Sequence, residues 1–94
     1  MLRHLQKAPN GKDFVYLGYP MHLTPTEFCI LDYIAEHRGA SADALLTHCY
    51  KGKVPKQSNV SVRISAINQK AYTIGGRRLV HLVYGHGYRI CDDI

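Results

Sequence analysis

The stretch Thr24-Pro25-Thr26-Glu27 constrains the fold most, because its residue types suit successive positions of a helix start. Thr24 supplies a capping oxygen, Pro25 stands at the first helical position where its missing N–H costs nothing, and Glu27 completes a capping box three residues past the cap. Phe28, Leu31, Ile34 and Ala35 follow at the spacing of a buried stripe, and Gly39 after His37-Arg38 offers a left-handed cap. A helix over about Pro25 to Arg38 is expected. A helix with such a stripe needs a core to bury it. With 94 residues, 46% of them apolar and 20% charged, the chain has enough for one core but not two. One domain over residues 1–94 is expected.

Around that helix the pattern supplies partners. Phe14-Val15-Tyr16-Leu17 is β-prone, Asn10-Gly11 suits a hairpin turn, and Met21-His22-Leu23 reads as a second short strand, so residues 1–23 should form a small antiparallel sheet. Ser41 caps a second, two-turn helix carrying Leu45, Leu46, Cys49 and Tyr50, which ends at Lys51-Gly52. A third helix begins near Ser58 or Asn59. At 100° per residue, Val60, Ile64, Ile67, Ala71 and Ile74 fall within about 40° of one direction and define its buried side. The opposite side carries Ser61, Val62, Ser65, Ala66, Gln69 and Tyr72, with Arg63 and Lys70 on one flank and Asn68 on the other. Gly75-Gly76 ends this helix. Leu79 to Tyr84, the Gly85-His86-Gly87 turn and Tyr88 to Cys91 then make a hairpin. The three helices occupy 24–74 and the hairpin 75–94. The result is an α+β winged helix-turn-helix: a small N-terminal antiparallel sheet, three helices and a C-terminal β-hairpin wing.

Charge is divided unevenly along this plan. The chain has 12 Lys and Arg against 7 Asp and Glu, but residues 44–91 contain eight of the bases and no acid. A stretch of that length without a carboxylate points to a polyanion partner. Small side chains mixed with amides on the third helix suit close approach to a groove floor, where Gln and Asn pair with an adenine edge and flanking Arg and Lys reach phosphates.

These residues resemble a known family, the C-terminal effector domain of OmpR/PhoB-type response regulators, over about Phe14 to Ile90. The resemblance rests on Leu23-Thr24-Pro25-Thr26-Glu27-Phe28 at the first helix and Ser41 with Leu45-Leu46 at the second. It rests also on Val60-x-Val62-x-Ile64-Ser65 at the third, and Val83-x-Gly85-x-Gly87-Tyr88-Arg89 at the wing. It implies a four-stranded N-terminal sheet, the third helix in the major groove, the wing at the adjacent minor groove, and binding to direct repeats as a tandem homodimer. It also implies that RNA polymerase is met through the 51–57 loop. Ser58, Ser65, Ala66 and Asn68 stand where relatives commonly carry arginine, Arg63 where histidine is frequent, and Tyr84 where a minor-groove arginine is frequent. A receiver domain with its acidic phosphoacceptor site is not encoded in these residues.

The expected partner is double-stranded DNA, read for its sequence in transcriptional regulation. Arg63, Ser65, Asn68 and Gln69 are expected nearest the bases, and Ala66 is expected in the same DNA-binding surface. Lys51, Lys53, Lys56, Lys70, Arg77 and Arg78 are expected on phosphates, helped by the helix start at Ser58 and Asn59. Tyr84 and His86 are expected at the wing tip. The alternative is a winged-helix module that meets an acidic protein, with Tyr72, Tyr84 and Tyr88 as anchors.

Other chemistries lack their residues. The six histidines include no i, i+4 pair and no H-E-x-x-H, so no metal site is expected. Gly75-Gly76-Arg77-Arg78 is not a phosphate loop. Cys29, Cys49 and Cys91 lack C-x-x-C spacing and read as small core residues rather than as a disulfide framework or nucleophiles. No cofactor, small-molecule ligand or catalytic activity is expected. The longest apolar run is Phe28 to Leu31, far short of a membrane span or leader, and a cytoplasmic bacterial protein is expected.

Overall fold

The computed structural model describes residues 4–50 and 57–91. Three short strands come first: β1 (Leu5–Lys7), β2 (Phe14–Tyr16) and β3 (Tyr19–Pro20), antiparallel in the order β1-β2-β3. Leu5 pairs with Tyr16 and Val15 with Pro20, and this register turns Leu5, Phe14 and Tyr16 inward. The Asn10-Gly11 turn forms as the sequence suggests, with Gly11 at φ +67° and the Asn10 side chain accepting from the Lys12 N–H at 2.8 Å. The sheet has three strands among the described residues, not the four that the resemblance implied.

Met21 to Leu23 is not the expected strand. The ladder closes with the Met21 N–H donating to Phe14 O at 2.9 Å, and His22 then turns to φ +57°. The Asp13 carboxylate takes the next two N–H groups, His22 and Leu23, each at 3.0 Å. A side chain has replaced the strand partner.

Helix α1 (Pro25–His37) starts with the complete capping box: Thr24 Oγ1 accepts from the Glu27 N–H, and Glu27 Oε1 accepts from the Thr24 N–H. Its end differs from expectation. The left-handed residue is Arg38 (φ +58°), not Gly39. Gly39, at φ +140°, has a backbone conformation that favours glycine, and a Cβ there would lie 3.2 Å from Arg89 Cγ. The most buried face of α1 is also rotated, with Glu27, Ile30, Leu31 and Ile34 inside while Phe28 and Ala35 are half-buried. Helix α2 (Ala42–Cys49) is capped by Ser41 and buries Leu45.

Helix α3 (Gln57–Gly75) buries Val60, Ile64, Ile67 and Ala71, with Ile74 half-buried, which is the expected stripe. The wing follows as β4 (Val80–Val83) and β5 (Gly87–Ile90), antiparallel with Val80 opposite Ile90 and His81 opposite Arg89. Ala40 and Tyr88 exchange both backbone hydrogen bonds, at 2.9 and 2.7 Å, so the α1–α2 turn pairs with the wing as a third strand would. The architecture is a winged helix-turn-helix. Its core lies where the three helices meet the buried sides of the two sheets.

Candidate nucleic-acid interface

The buried stripe of α3 fixes what faces out. Val62, Ser65, Gln69 and Tyr72 recur at intervals of three, four and three residues, so they share one side of the helix, and all four are exposed. Ser61 and Arg63 are exposed beside them and Ala66 is half-buried. Asn59 is exposed at the first turn. Val62 is the aliphatic member of this stripe, and 61% of its surface is open.

Two residues expected at this interface are committed elsewhere. Asn68 is turned toward the wing: its Oδ1 accepts from the N–H groups of Leu79 (2.9 Å) and Val80 (2.8 Å), and its Nδ2 donates to Val80 O at 2.8 Å. These backbone groups lie at the start of β4, and buried N–H and C=O groups require partners. The Asn68 amide thus fastens the start of β4 to α3. Lys70 is the second. Its ammonium contacts Glu27 Oε1 at 2.5 Å and donates to His22 O at 2.9 Å, which ties it to the start of α1.

Glu27 is only 3% exposed, and its partners decide its charge. Burial alone raises the pKa of the carboxyl. The hydrogen bond from Lys70, the Thr24 N–H and the fields of Lys70 and Arg63 outweigh that and hold it below its ordinary value. Arg63 lies seven residues before Lys70 and so shares its flank of α3, the flank that Lys70 ties to α1.

The wing is coupled to the same helix. Ser61 Oγ and Tyr88 Oη lie 3.2 Å apart, joining the first turns of α3 to β5. Beyond this link Tyr84 is fully exposed at the tip, His86 is exposed beside it, and Leu82 is 67% exposed. Arg77 and Arg78 are exposed between α3 and β4, and Arg89 is exposed on β5. The wing and helix thus offer one apolar and aromatic set and a separate set of guanidinium groups. Lys51, Lys53 and Lys56 lie outside the described residues, as does the Lys51-Gly52 break expected after α2, which ends at Cys49 with Tyr50 as its cap; the side chain of Ser58 is also outside them.

Ser61 and Val62 were not among the expected contact residues, and Tyr72 was expected only as a protein-binding anchor, although the helical spacing that selects Ser65 and Gln69 selects them too. Ser61 bonds Tyr88, a link between residues 27 apart that periodicity alone does not reveal. Among the described residues no three His, Cys, Asp or Glu come together in a way that could hold a metal ion, and no helix is long and apolar enough to cross a membrane.

The family model described as "Transcriptional regulatory protein, C terminal" matches residues 18–90. No curated protein matches the chain. Among solved structures, it is similar to the DNA-binding domain of the response regulator AdeR, solved in complex with an intercistronic region. The two share 18% identity, 96% of each chain is covered, and the TM-score is 0.80. The DNA-binding domain of Klebsiella pneumoniae RstA, solved with the RstA box, shares 23% identity over 97% of this chain and 94% of that one, with a TM-score of 0.74. The DNA-binding domain of E. coli CadC shares 19% over 97% and 89%, with a TM-score of 0.79. These likenesses show the same fold.

Proposed function

The chain belongs to the C-terminal domains of transcriptional regulatory proteins, the OmpR/PhoB type of DNA-binding regulator, and from that premise we propose how it meets DNA. Helix α3 enters the major groove with Val62, Ser65 and Gln69 toward the bases. The wing tip, Tyr84 with His86, lies at the adjacent minor groove. Arg63, Arg77, Arg78 and the lysines Lys51, Lys53 and Lys56 meet phosphates, which need charge more than fixed position. The observation that carries this reading is the exposed stripe on α3, set within a segment, residues 44–91, that has eight bases and no acid.

The same reading extends to a non-catalytic, cofactor-free, cytoplasmic regulator. It binds direct repeats as a tandem homodimer and meets RNA polymerase through the 51–57 loop. Duplex titration at several salt concentrations tests its core. Four to six phosphate contacts give a log–log slope of roughly −4 to −5, and a slope near zero would sink the reading.

A second reading draws on the exposed Tyr72 and Tyr84: a module that grips an acidic protein, with weakened or lost DNA binding. Tyr88 no longer serves it as an anchor, being half-buried and bonded to Ser61. This reading predicts no footprint on genomic fragments.

A further inference from the structure

Resting on the DNA-binding reading of α3, we propose that Val62 reads the 5-methyl group of thymine and that the element this chain prefers is A·T-rich beneath α3. The edge of a G·C pair in the major groove offers guanine O6 and N7, two acceptors best met by Arg or Lys. Over its described length α3 has two cations. Lys70 is held by Glu27 and the His22 carbonyl. Arg63, seven residues before Lys70, stands on the same flank of the helix. Neither occupies the centre of the exposed stripe.

What does occupy the centre suits the other base pair. Gln69 carries both a donor and an acceptor, the pattern that matches adenine N6 and N7. Val62 presents two methyl groups to solvent, and one turn further along, Ala66 adds a third that is half-buried. Thymine is the one base that displays a methyl group in the major groove, so an apolar side chain there discriminates by burial rather than by hydrogen bonding. Val62 has no place in the core, which is served by Val60 and Ile64 on either side of it. Its exposure is therefore not a by-product of packing.

The test uses the full chain and duplexes selected by it from a random pool. The selected elements should be enriched in A·T pairs. Replacing single thymines in a selected element by deoxyuridine removes only the methyl. At one or two positions this should weaken binding about fourfold, equivalent to ~0.8 kcal/mol for one buried methyl-sized group. The Val62→Ala chain should bind the thymine and deoxyuridine duplexes alike at those positions. Salt-dependent binding that is indifferent to deoxyuridine at every position, or a Val62→Ala chain that keeps the full discrimination, overturns the inference while leaving the DNA-binding reading in place. Failure to bind any duplex, with no salt dependence, overturns both. The deoxyuridine series is read on the unaltered chain, so it decides even if the variant folds poorly.

Discussion

The side-chain amide of Asn68 pairs with the backbone of Val80 from both ends, donating to its carbonyl and accepting from its N–H, each at 2.8 Å. One side chain on α3 thereby acts as a neighbouring strand for β4 and sets where the wing leaves the helix. Asn68→Ala would strand those two groups and the Leu79 N–H, which also bonds Oδ1. Leaving buried backbone groups unpaired costs about 1–3 kcal/mol each before water relieves part of it, so a loss of ~3 kcal/mol is expected. Denaturant unfolding should show a lower midpoint with an unchanged slope. A midpoint equal to that of the unaltered chain would mean that the clamp does not hold the wing.

The Glu27–Lys70 pair makes stability depend on acid in a stated direction. Glu27 is held below its ordinary value of 4.5 in the folded chain, so the folded state keeps its proton off more readily than the unfolded one does. Its contribution is complete above that ordinary value and is lost as pH falls through the lower, folded-state value. Asp13 acts in the same sense. Burial raises its pKa, but the N–H groups of Leu23, Phe14 and His22 outweigh that and hold the carboxylate below its ordinary 3.8. The stability these two carboxylates contribute should therefore fall with acid, and Glu27→Gln should remove part of that slope. Lys70→Met leaves a buried carboxylate without its cation and should cost about 3 kcal/mol at pH 7, toward the low end for a broken buried pair because Lys70 itself is partly in water. An acid slope identical in Glu27→Gln and the unaltered chain would remove Glu27 from the account.

Local chemistry made much of this fold readable. The Thr24 capping box, the Ser41 cap and the Val60–Ile64–Ile67–Ala71 stripe are written in residues three or four apart, and periodicity recovers such patterns. What it could not recover depends on groups far apart in the chain. Asp13 ends a strand ten residues away by accepting the Leu23 N–H. Lys70 reaches Glu27 across 43 positions, and Asn68 faces the wing because β4 happens to start there. A helical wheel puts Asn68 and Lys70 on the flanks of α3, and flanks are where tertiary partners compete with an external one. Asn68 bonds β4 and Lys70 bonds Glu27, each a partner that periodicity does not name.

Two glycines of the wing turn separate backbone conformation from close packing. Gly85 (φ +77°) and Gly87 (φ +79°) share the left-handed region, so alanine at either should cost about 1–2 kcal/mol for conformation alone. Nothing lies within 4 Å of a Cβ at Gly85, whereas at Gly87 it would meet Ala40 O at 2.5 Å and force apart the Ala40–Tyr88 pairing. Gly87→Ala should therefore destabilise the protein clearly more than Gly85→Ala, by an additional ~2 kcal/mol or more. Thermal unfolding of the two variants compares them directly, and equal midpoints would deny the close approach between the wing and the α1–α2 turn.

Charge and base readout separate by the same kind of comparison on DNA. Arg78 is exposed between α3 and β4, and a phosphate contact there carries no sequence information. Arg78→Ala should weaken binding to selected and unrelated duplexes by similar factors and lower the magnitude of the salt slope by about 1. Gln69 lies on the exposed stripe, so Gln69→Ala should leave the slope unchanged and cost about 1–3 kcal/mol on the selected element, with little loss on unrelated DNA. Asn68→Asp provides the contrast, because it keeps the acceptor toward Leu79 and Val80 while losing the donor to Val80 O. Its base preference should match that of the unaltered chain even where its stability does not. If Asn68→Asp relaxed the base preference and Gln69→Ala did not, the reading surface of α3 would have to be rotated toward the wing.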